Sequence, residues 1–378
     1  MKNGSPFILF RDDWKKDLLL FSDPVDIICA RNEREFYPSF AKMEEARIKG
    51  KWLAGYISYE AGFLLNKSLK HLFKPRQDIP LICFGVFNSP PSKEDILLPH
   101  IYKKQKYFLH NPQISWDYKL YKRKFEQFYQ NLRCGNCYQG NITFPITAEW
   151  LGDPLIAFCS LIEKQPVRYG SLVSLQEPII LSRSPELFFY INDKGIIETR
   201  PMKGTAPRGK NFEEDQKIID NFKKENKNLS ENIMIIDLLR NDIARICIPG
   251  TVNTHSLFEI ESYNTLHQMI SGVCGKISPN LKIKDIFSAL FPCGSITGVP
   301  KIKSMQVLQQ LEETPRGIYC GAIGFISPTS TMRFSVAIRT ITLFPDNRAI
   351  LNVGGAVTYE SNAEAEYEEC LLKSRFAI

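Results

Sequence analysis

The chain has 378 residues, 44% of them hydrophobic and 12% aromatic, with a net charge of +7, ample apolar material for one large core or two smaller ones. The N-terminal MKNGSPFILFRDDWKKD offers only the short apolar run Phe7 to Phe10, too brief for a secretory leader, and no stretch reaches membrane-spanning length. Membrane and nucleic-acid partners are therefore not expected, a cytoplasmic address is the default, and the ten cysteines read as reduced thiols; their one CxxC pair, Cys134 and Cys137, has no second pair or histidine cluster to complete a zinc site.

From residue 1 to about 90, aromatic-rich segments such as WLAGYISYEAGFLLN and IPLICFGVF predict strands and a short helix. SPPSKED (89–95) breaks the pattern and reads as a linker, dividing a shortened N-terminal region, 1–95, from a region spanning 115–378. Basic residues are dense between Lys103 and Lys124, and from the second run, YKLYKRKF, onward Tyr118, Tyr121, Phe125, Phe128 and Leu132 fall at helical spacing, so the lysines form the solvated face of a helix. YGSLVSLQEPIILS, TMRFSVAIRTITLF and AILNVGGAVTY carry the period-two, β-branched pattern of strands. Hairpin-like strand pairs outnumber regular βα alternation. The expected class is α+β, with sheets packed on each other and helices outside, and no doubly wound parallel sheet.

Between the strands, TRPMKGTAPRG (199–209) places Lys203 amid Pro201, Pro207, Gly204 and Gly209. The prolines restrict their own φ and the residues before them, and the glycines permit turns, so the segment reads as a shaped loop. Arg200 and Arg208 would disfavour the ammonium form of Lys203 by like charge and help generate a free amine nucleophile; an ordinary surface turn with a solvated lysine fits the same residues. LSENIMIIDLLRNDIARI predicts a helix from near Ser230, with Glu231 in its first turn as a dipole-compensating residue or a ligand. FPCGSITGVPK is a glycine- and hydroxyl-bearing loop leading into a helix whose Ile302, Met305 and Leu308 line one face. Its helix start suits an anion, without the ending of a Walker loop. Gly354 and Gly355 read as a glycine turn, and Arg339 as a guanidinium that could fork onto a carboxylate. In SNAEAEYEECLLKSRF, Ser361 and Glu364 form a capping-box pattern, and Glu366, Glu369 and Lys373 share a helix face that suits a divalent cation or an ion-pair ladder. These parts together suggest a small polycarboxylate held by backbone amides, one arginine and a hard ion such as magnesium.

YQGNIT, SRSPELFF, ETRPMKGTAPRG, ENIMIIDLLRNDIARI, LHQMISGV, GSITGVPK, YCGAIGF, IRT, GGAV and EAEYEE occur in that order. From about residue 115 to the end the chain thereby resembles the chorismate-utilising enzymes, the family of anthranilate synthase component I, aminodeoxychorismate synthase component I, isochorismate synthase and salicylate synthase. The N-terminal hundred residues match more weakly. The resemblance implies an anthranilate synthase component I-like fold.

Gln139 stands where water-adding relatives carry a lysine base, which points to an ammonia-using branch. Lys203 stands where anthranilate synthases carry alanine, which points to the aminodeoxychorismate branch, with anthranilate synthase component I as the alternative. The resemblance further implies Lys203 as a nucleophile toward chorismate, Glu186 as general acid, Glu231 and Glu369 as magnesium ligands and Glu366 beside them. Arg339, Tyr319, Gly354 and Gly355 would grip substrate carboxylates, and Thr297 and Gly298 would close the pocket. His267 would lie near the reacting ring in a role left open. Ammonia is expected from a separate glutamine amidotransferase subunit. Asn228, Cys293 and Met202 depart from the family's usual residues, and the shortened N-terminal region argues against inhibition by tryptophan.

Overall fold

The computed structural model of the chain describes residues 5–93, 108–262 and 266–378. The end of the SPPSKED segment and the lysine-rich YKKQKY lie outside them. Its framework is two ten-stranded sheets in which every described pairing is antiparallel. The first runs Gly298–Val299, Gln139–Leu151, Arg348–Thr358, Thr340–Leu343, Ile179–Ser184, Tyr169–Ser174, Phe7–Asp12, Asp17–Ser22 and Ser92–Lys93, with Phe108–Ile114 also pairing with Gln139–Leu151. The second runs Met202–Pro207, Leu266–Lys276, Ile196–Arg200, Leu187–Ile191, Met332–Val336, Ala322–Ile326, Trp52–Ile57, Ile82–Phe87 and Asp26–Ala30, with Asn253–Ser262 also pairing with Leu266–Lys276.

Period-two side-chain alternation explains how both faces of each sheet are buried. In Phe7–Asp12, Ile8 and Phe10 enter the core between the sheets while Leu9 enters the core under the helices. Ile180 and Leu181, and Val173 and Leu172, divide the same way. The second sheet repeats the device: Tyr56 and Cys83 face inward, and Ile57, Ile82 and Phe84 face the opposite side. Each fully buried large apolar side chain stabilises the fold by about 1.5–3 kcal/mol relative to exposure. Helices Tyr118–Arg133, Pro154–Lys164 and Ala363–Ser374 cover the first sheet. Glu33–Ile48, Asn226–Ala244 and Ile283–Leu290 cover the second. Lys301–Leu311 spans both outer cores, Met305 belonging to one and Val307 and Leu308 to the other.

Of the predicted helix face, Tyr121, Phe125, Phe128 and Leu132 are buried whereas Tyr118 is exposed, and Lys124 is drawn in, over the Trp116 ring and paired to Glu313. Three local readings need correction. Gly354 and Gly355 form no turn; they lie inside the strand Arg348–Thr358, opposite Thr143 and Ile142. Ser361 caps no helix: Asn362 does, through Glu364 and Ala365 N–H, which frees the Ser361 hydroxyl to bond Glu366 at 2.6 Å. Ile302 is largely exposed, so the buried face of its helix runs through Met305 and Leu308.

Candidate active site

Lys203 sits on a strand, where a loop was expected. Met202–Pro207 pairs with Leu266–Lys276, and the register slips by one residue between Met202 and Thr205. Gly204, at φ +81°, provides the left-handed residue of this bulge. The bulged carbonyls do not go unpaired: Asn232 donates to Lys203 O at 3.3 Å and Gln268 to Gly204 O at 3.0 Å. A bulge re-aims the side chain it carries, and here side chains from a helix and a neighbouring strand hold it. The like charge expected from the flanking arginines is taken up elsewhere. Arg200 pairs with Glu261 at 2.8 Å, and Arg208 with Asp215 at 2.7 Å.

Glu186 opens the strand Leu187–Ile191 from the buried side, its backbone carbonyl accepting from Val336 N at 3.1 Å. Burial pushes its carboxyl above the usual range, opposed by a hydrogen bond from Ser295 and by the nearby charge of Lys203. Its Oε1 is buried with no hydrogen-bond partner. Gln139 is fully buried, and neither of its amide atoms has a partner. Each unsatisfied buried polar atom costs about 1–3 kcal/mol, so such groups call for a ligand or another specific reason. Arg339 fits the same pattern. Its backbone is in the left-handed region at φ +51°, burial lowers its pKa, and its guanidinium has no hydrogen-bond or ion-pair partner among the described residues.

The loop carrying Ser295 is fixed from several sides. Thr297, fully buried, donates to the carbonyls of Cys293 and Gly294 at 3.1 and 3.2 Å, and its own carbonyl accepts from Asn141 N at 2.9 Å. Gly298 follows at φ +153°, where an added Cβ would stand 2.3 Å from Gln139 O and 2.6 Å from Ser304 Oγ. Only glycine fits there. Arg316, 2% exposed, pairs with Glu312 at 2.6 Å, donates to Ile296 O at 3.1 Å and Asn141 O at 2.7 Å, and lies 4.4 Å from the Tyr59 ring centroid. Lys301 joins the same loop to the helix Asn226–Ala244 through Asp242 at 2.5 Å. Sequence reading passed over Arg316 and Glu312 because an (i, i+4) pair of opposite charge looks like a surface pair.

Tyr319 is buried, its phenol raised well above the usual range by burial, and Cys320 beside it senses the charge of Glu186. Gly354 and Gly355 act through close approach. A Cβ on Gly354 would meet Ile142 O at 2.6 Å, and one on Gly355 would meet Glu366 Oε2 at 3.2 Å, so the strand lets the C-terminal helix lie against it.

His267 does not present a free ring nitrogen toward a substrate. Nδ1 is bonded to Ser262 Oγ at 2.8 Å and Nε2 to Asp215 Oδ1 at 2.9 Å. Asp215 in turn takes Arg208 and Gly209 N–H, and the Arg208 guanidinium holds its carboxyl well below the usual carboxylate range. His267 is thus a buried strut under the Lys203 strand, paired opposite Ala206. Asp215 was hidden in sequence within the acidic first turn Glu213–Asp215, which reads as dipole compensation.

Of the three carboxylates expected to bind magnesium, Glu366 is buried and accepts from Ser361, and Glu369 pairs with Lys373 at 2.7 Å. Glu231 lines a cleft of about 340 Å³ with Cys137, Tyr138, Met234, Tyr359 and Glu360. Among the described residues no three His, Cys, Asp or Glu side chains gather into a metal cage. The donors of Glu231, Glu366 and Glu369 are all oxygens, the ligand type that a hard cation such as magnesium takes. The side chain of Asn228 lies outside the described residues.

A buried carboxyl that feels the charge of Lys203, a guanidinium without a partner among the described residues and buried amide atoms lacking partners are the candidate features of the site. The chain belongs to the family of chorismate binding enzymes, whose model matches residues 5–378. It is 36% identical over 249 residues to aminodeoxychorismate synthase component 1 of Escherichia coli (strain K12), covering 66% of this chain and 54% of that one. The chain therefore spans about half the length of that relative. Anthranilate synthase component 1 of Saccharolobus solfataricus is 35% identical over 338 residues, covering 84% of this chain and 77% of that one. The crystal structure of anthranilate synthase component I from Streptococcus pneumoniae TIGR4 has the same fold, with a TM-score of 0.82 at 23% identity over 99% of this chain and 92% of that one.

Proposed function

We propose that the chain is the chorismate-aminating component of an aminodeoxychorismate synthase, converting chorismate and ammonia to 4-amino-4-deoxychorismate. The observation that carries this reading is Lys203 on its bulge beside the buried, partly unpartnered carboxyl of Glu186. In the proposed sequence the Lys203 amine attacks C2 of chorismate while Glu186 gives its proton to the departing C4 hydroxyl, which leaves as water. Ammonia then attacks C4, the bond between C2 and the Lys203 nitrogen breaks, and the carboxylate of Glu186 regains a proton. Splitting one displacement into two lowers each barrier, and a carboxyl kept protonated by burial suits the first. Arg339 would take a substrate carboxylate, and the amide of Gln139 would meet polar atoms of the ring or the incoming ammonia. Glu231, Glu366 and Glu369 would hold magnesium, which when bound would offset the negative charge of the substrate carboxylates. Thr297 and Gly298 lie on the loop that would cover the site.

Ammonia would come from a separate glutamine amidotransferase subunit, with a concentrated ammonium salt able to replace it. The longer match to an anthranilate synthase component 1 supports a second reading, production of anthranilate, and the lysine at position 203 argues against it. The test is chromatography of products from purified chain, chorismate, magnesium and ammonium salt, before and after an aminodeoxychorismate lyase. The proposal expects a product that the lyase converts to 4-aminobenzoate, turnover that stops with chelator and returns with magnesium, and a covalent adduct that Lys203→Ala abolishes. Anthranilate formed directly, or an unchanged rate of 4-amino-4-deoxychorismate formation by Lys203→Ala, would sink it.

A further inference from the structure

Among the ten cysteines, Cys29 and Cys83 stand apart by position. Cys29 lies on Asp26–Ala30, at the end of the second sheet opposite the Lys203 strand, and Cys83 lies on the adjoining strand Ile82–Phe87. The two are paired directly across the ladder, so their side chains leave the sheet on the same face. On its other flank Cys83 faces Tyr56. Cys83 is 1% exposed, whereas Cys29 is only partly buried. We propose that Cys29 and Cys83 form a redox modification site, at which a hydroperoxide oxidises the edge thiol and the buried thiol closes a reversible cross-strand disulfide.

Directly opposed residues carry their Cβ atoms about 4.5–5.5 Å apart, and a disulfide needs about 3.5–4.5 Å. Closure thus asks for a shift of about 1 Å, on a strand that among the described residues is paired on one side only. Chemistry assigns the order of events. The Cys29 thiol is acidified by its hydrogen bond with Cys83, against burial and with help from Arg31. The hydrogen bond with Cys29, together with burial, pushes the Cys83 thiol up. Burial likewise raises Cys137, Cys159, Cys247, Cys274, Cys293, Cys320 and Cys370. Of the two, the more accessible and more acidic thiol, Cys29, is the one a peroxide finds first. Cys29 sulfur attacks the terminal peroxide oxygen, the O–O bond breaks, and the thiol proton goes to the departing oxygen, which leaves as an alcohol, or as water from hydrogen peroxide, while Cys29 becomes a sulfenic acid. Cys83 sulfur then attacks the sulfenic sulfur, expelling water as the S–S bond forms. Two thiols lose two electrons and two protons, the peroxide gains both, and an external dithiol reverses the change.

The test uses the full chain and hydrogen peroxide at a few equivalents, followed by iodoacetamide in denaturant and mass spectrometry. The expected product carries two fewer alkyl groups than ten cysteines allow, yields a peptide joining Cys29 to Cys83, and recovers full alkylation after dithiothreitol. In Cys83→Ser the oxidation of Cys29 should stop at a sulfenic acid that a 1,3-dione traps; in Cys29→Ser, Cys83 should stay fully alkylatable. The proposal is overturned if Cys83 of the untreated sequence remains alkylated after Cys29 has been oxidised, or if Cys83 reacts equally fast in Cys29→Ser.

Discussion

In the proposed reaction Glu186 must be protonated to donate, and burial raises its pKa against the opposing influence of Ser295 and Lys203. A carboxyl raised in this way keeps its proton at low pH and loses it as pH rises through the raised value, so the rate of the first displacement should fall on the alkaline side. Glu186→Gln should lower kcat by about 10²–10⁴-fold and remove that alkaline limb from the pH profile; a limb that persists would assign it to another group. Lys203, Glu186 and Gln139 could be named as candidates because each lies inside a short motif of the family the sequence resembles. The role of His267 was not, since its partner Asp215 sits on a different element and only the fold brings their side chains to 2.9 Å. The repulsion expected around Lys203 failed for the same reason: Glu261 and Asp215, which neutralise Arg200 and Arg208, are distant from Lys203 in sequence.

At the scale of elements, Arg316 clamps the loop that carries Ser295. This one guanidinium joins the segment after a helix to the loop at Ile296 and the strand at Asn141, with Glu312 as its counter-charge. Removing one partner of a buried pair leaves the other charge uncompensated, so Arg316→Ala should cost about 3–5 kcal/mol in denaturant unfolding. A loss below about 1 kcal/mol, the range of a surface pair, would show that the clamp is unimportant. Strands were readable here from β-branched alternation and helices from apolar spacing. Their ends were less so, because caps and turns are decided by competition. Ser361 had the right chemistry for a cap, but Asn362 next to it occupies the capping position and leaves Ser361 to Glu366. Paired glycines signalled a turn at Gly354 and Gly355, whereas the nearness of Ile142 O and Glu366 makes them a strand that another element must approach closely.

Across the whole molecule, early and late parts of the chain hold each other. Glu60 accepts from Gly317 N with both carboxylate oxygens, at 3.2 and 3.1 Å, and burial raises its pKa from 4.5 to about 7. With the folded value above the unfolded one, the unfolded chain releases this proton first. Stability therefore falls as pH rises between these values, and the loss is complete above about 7. The effect is about 3 kcal/mol at its limit, and Glu60→Gln should flatten the decline of Tm between about pH 5 and 8. An unchanged slope would place the titrating group elsewhere. The α+β class and the packing of sheet on sheet were legible from the strand-rich pattern, but the sharing of strands was not, since nothing local tells Trp52–Ile57 that it will lie beside Ala322–Ile326. That interleaving has a consequence for biosynthesis. Leu53 finds its partner only when Ile326 has left the ribosome, and Leu9 waits for Leu172. At about 5–20 residues per second, the strand Trp52–Ile57 stays uncovered on that side for many seconds in each round of translation. Such a topology folds late and all at once, and a nascent chain stalled before Ala322 would display an open, apolar sheet edge to whatever chaperone is at hand.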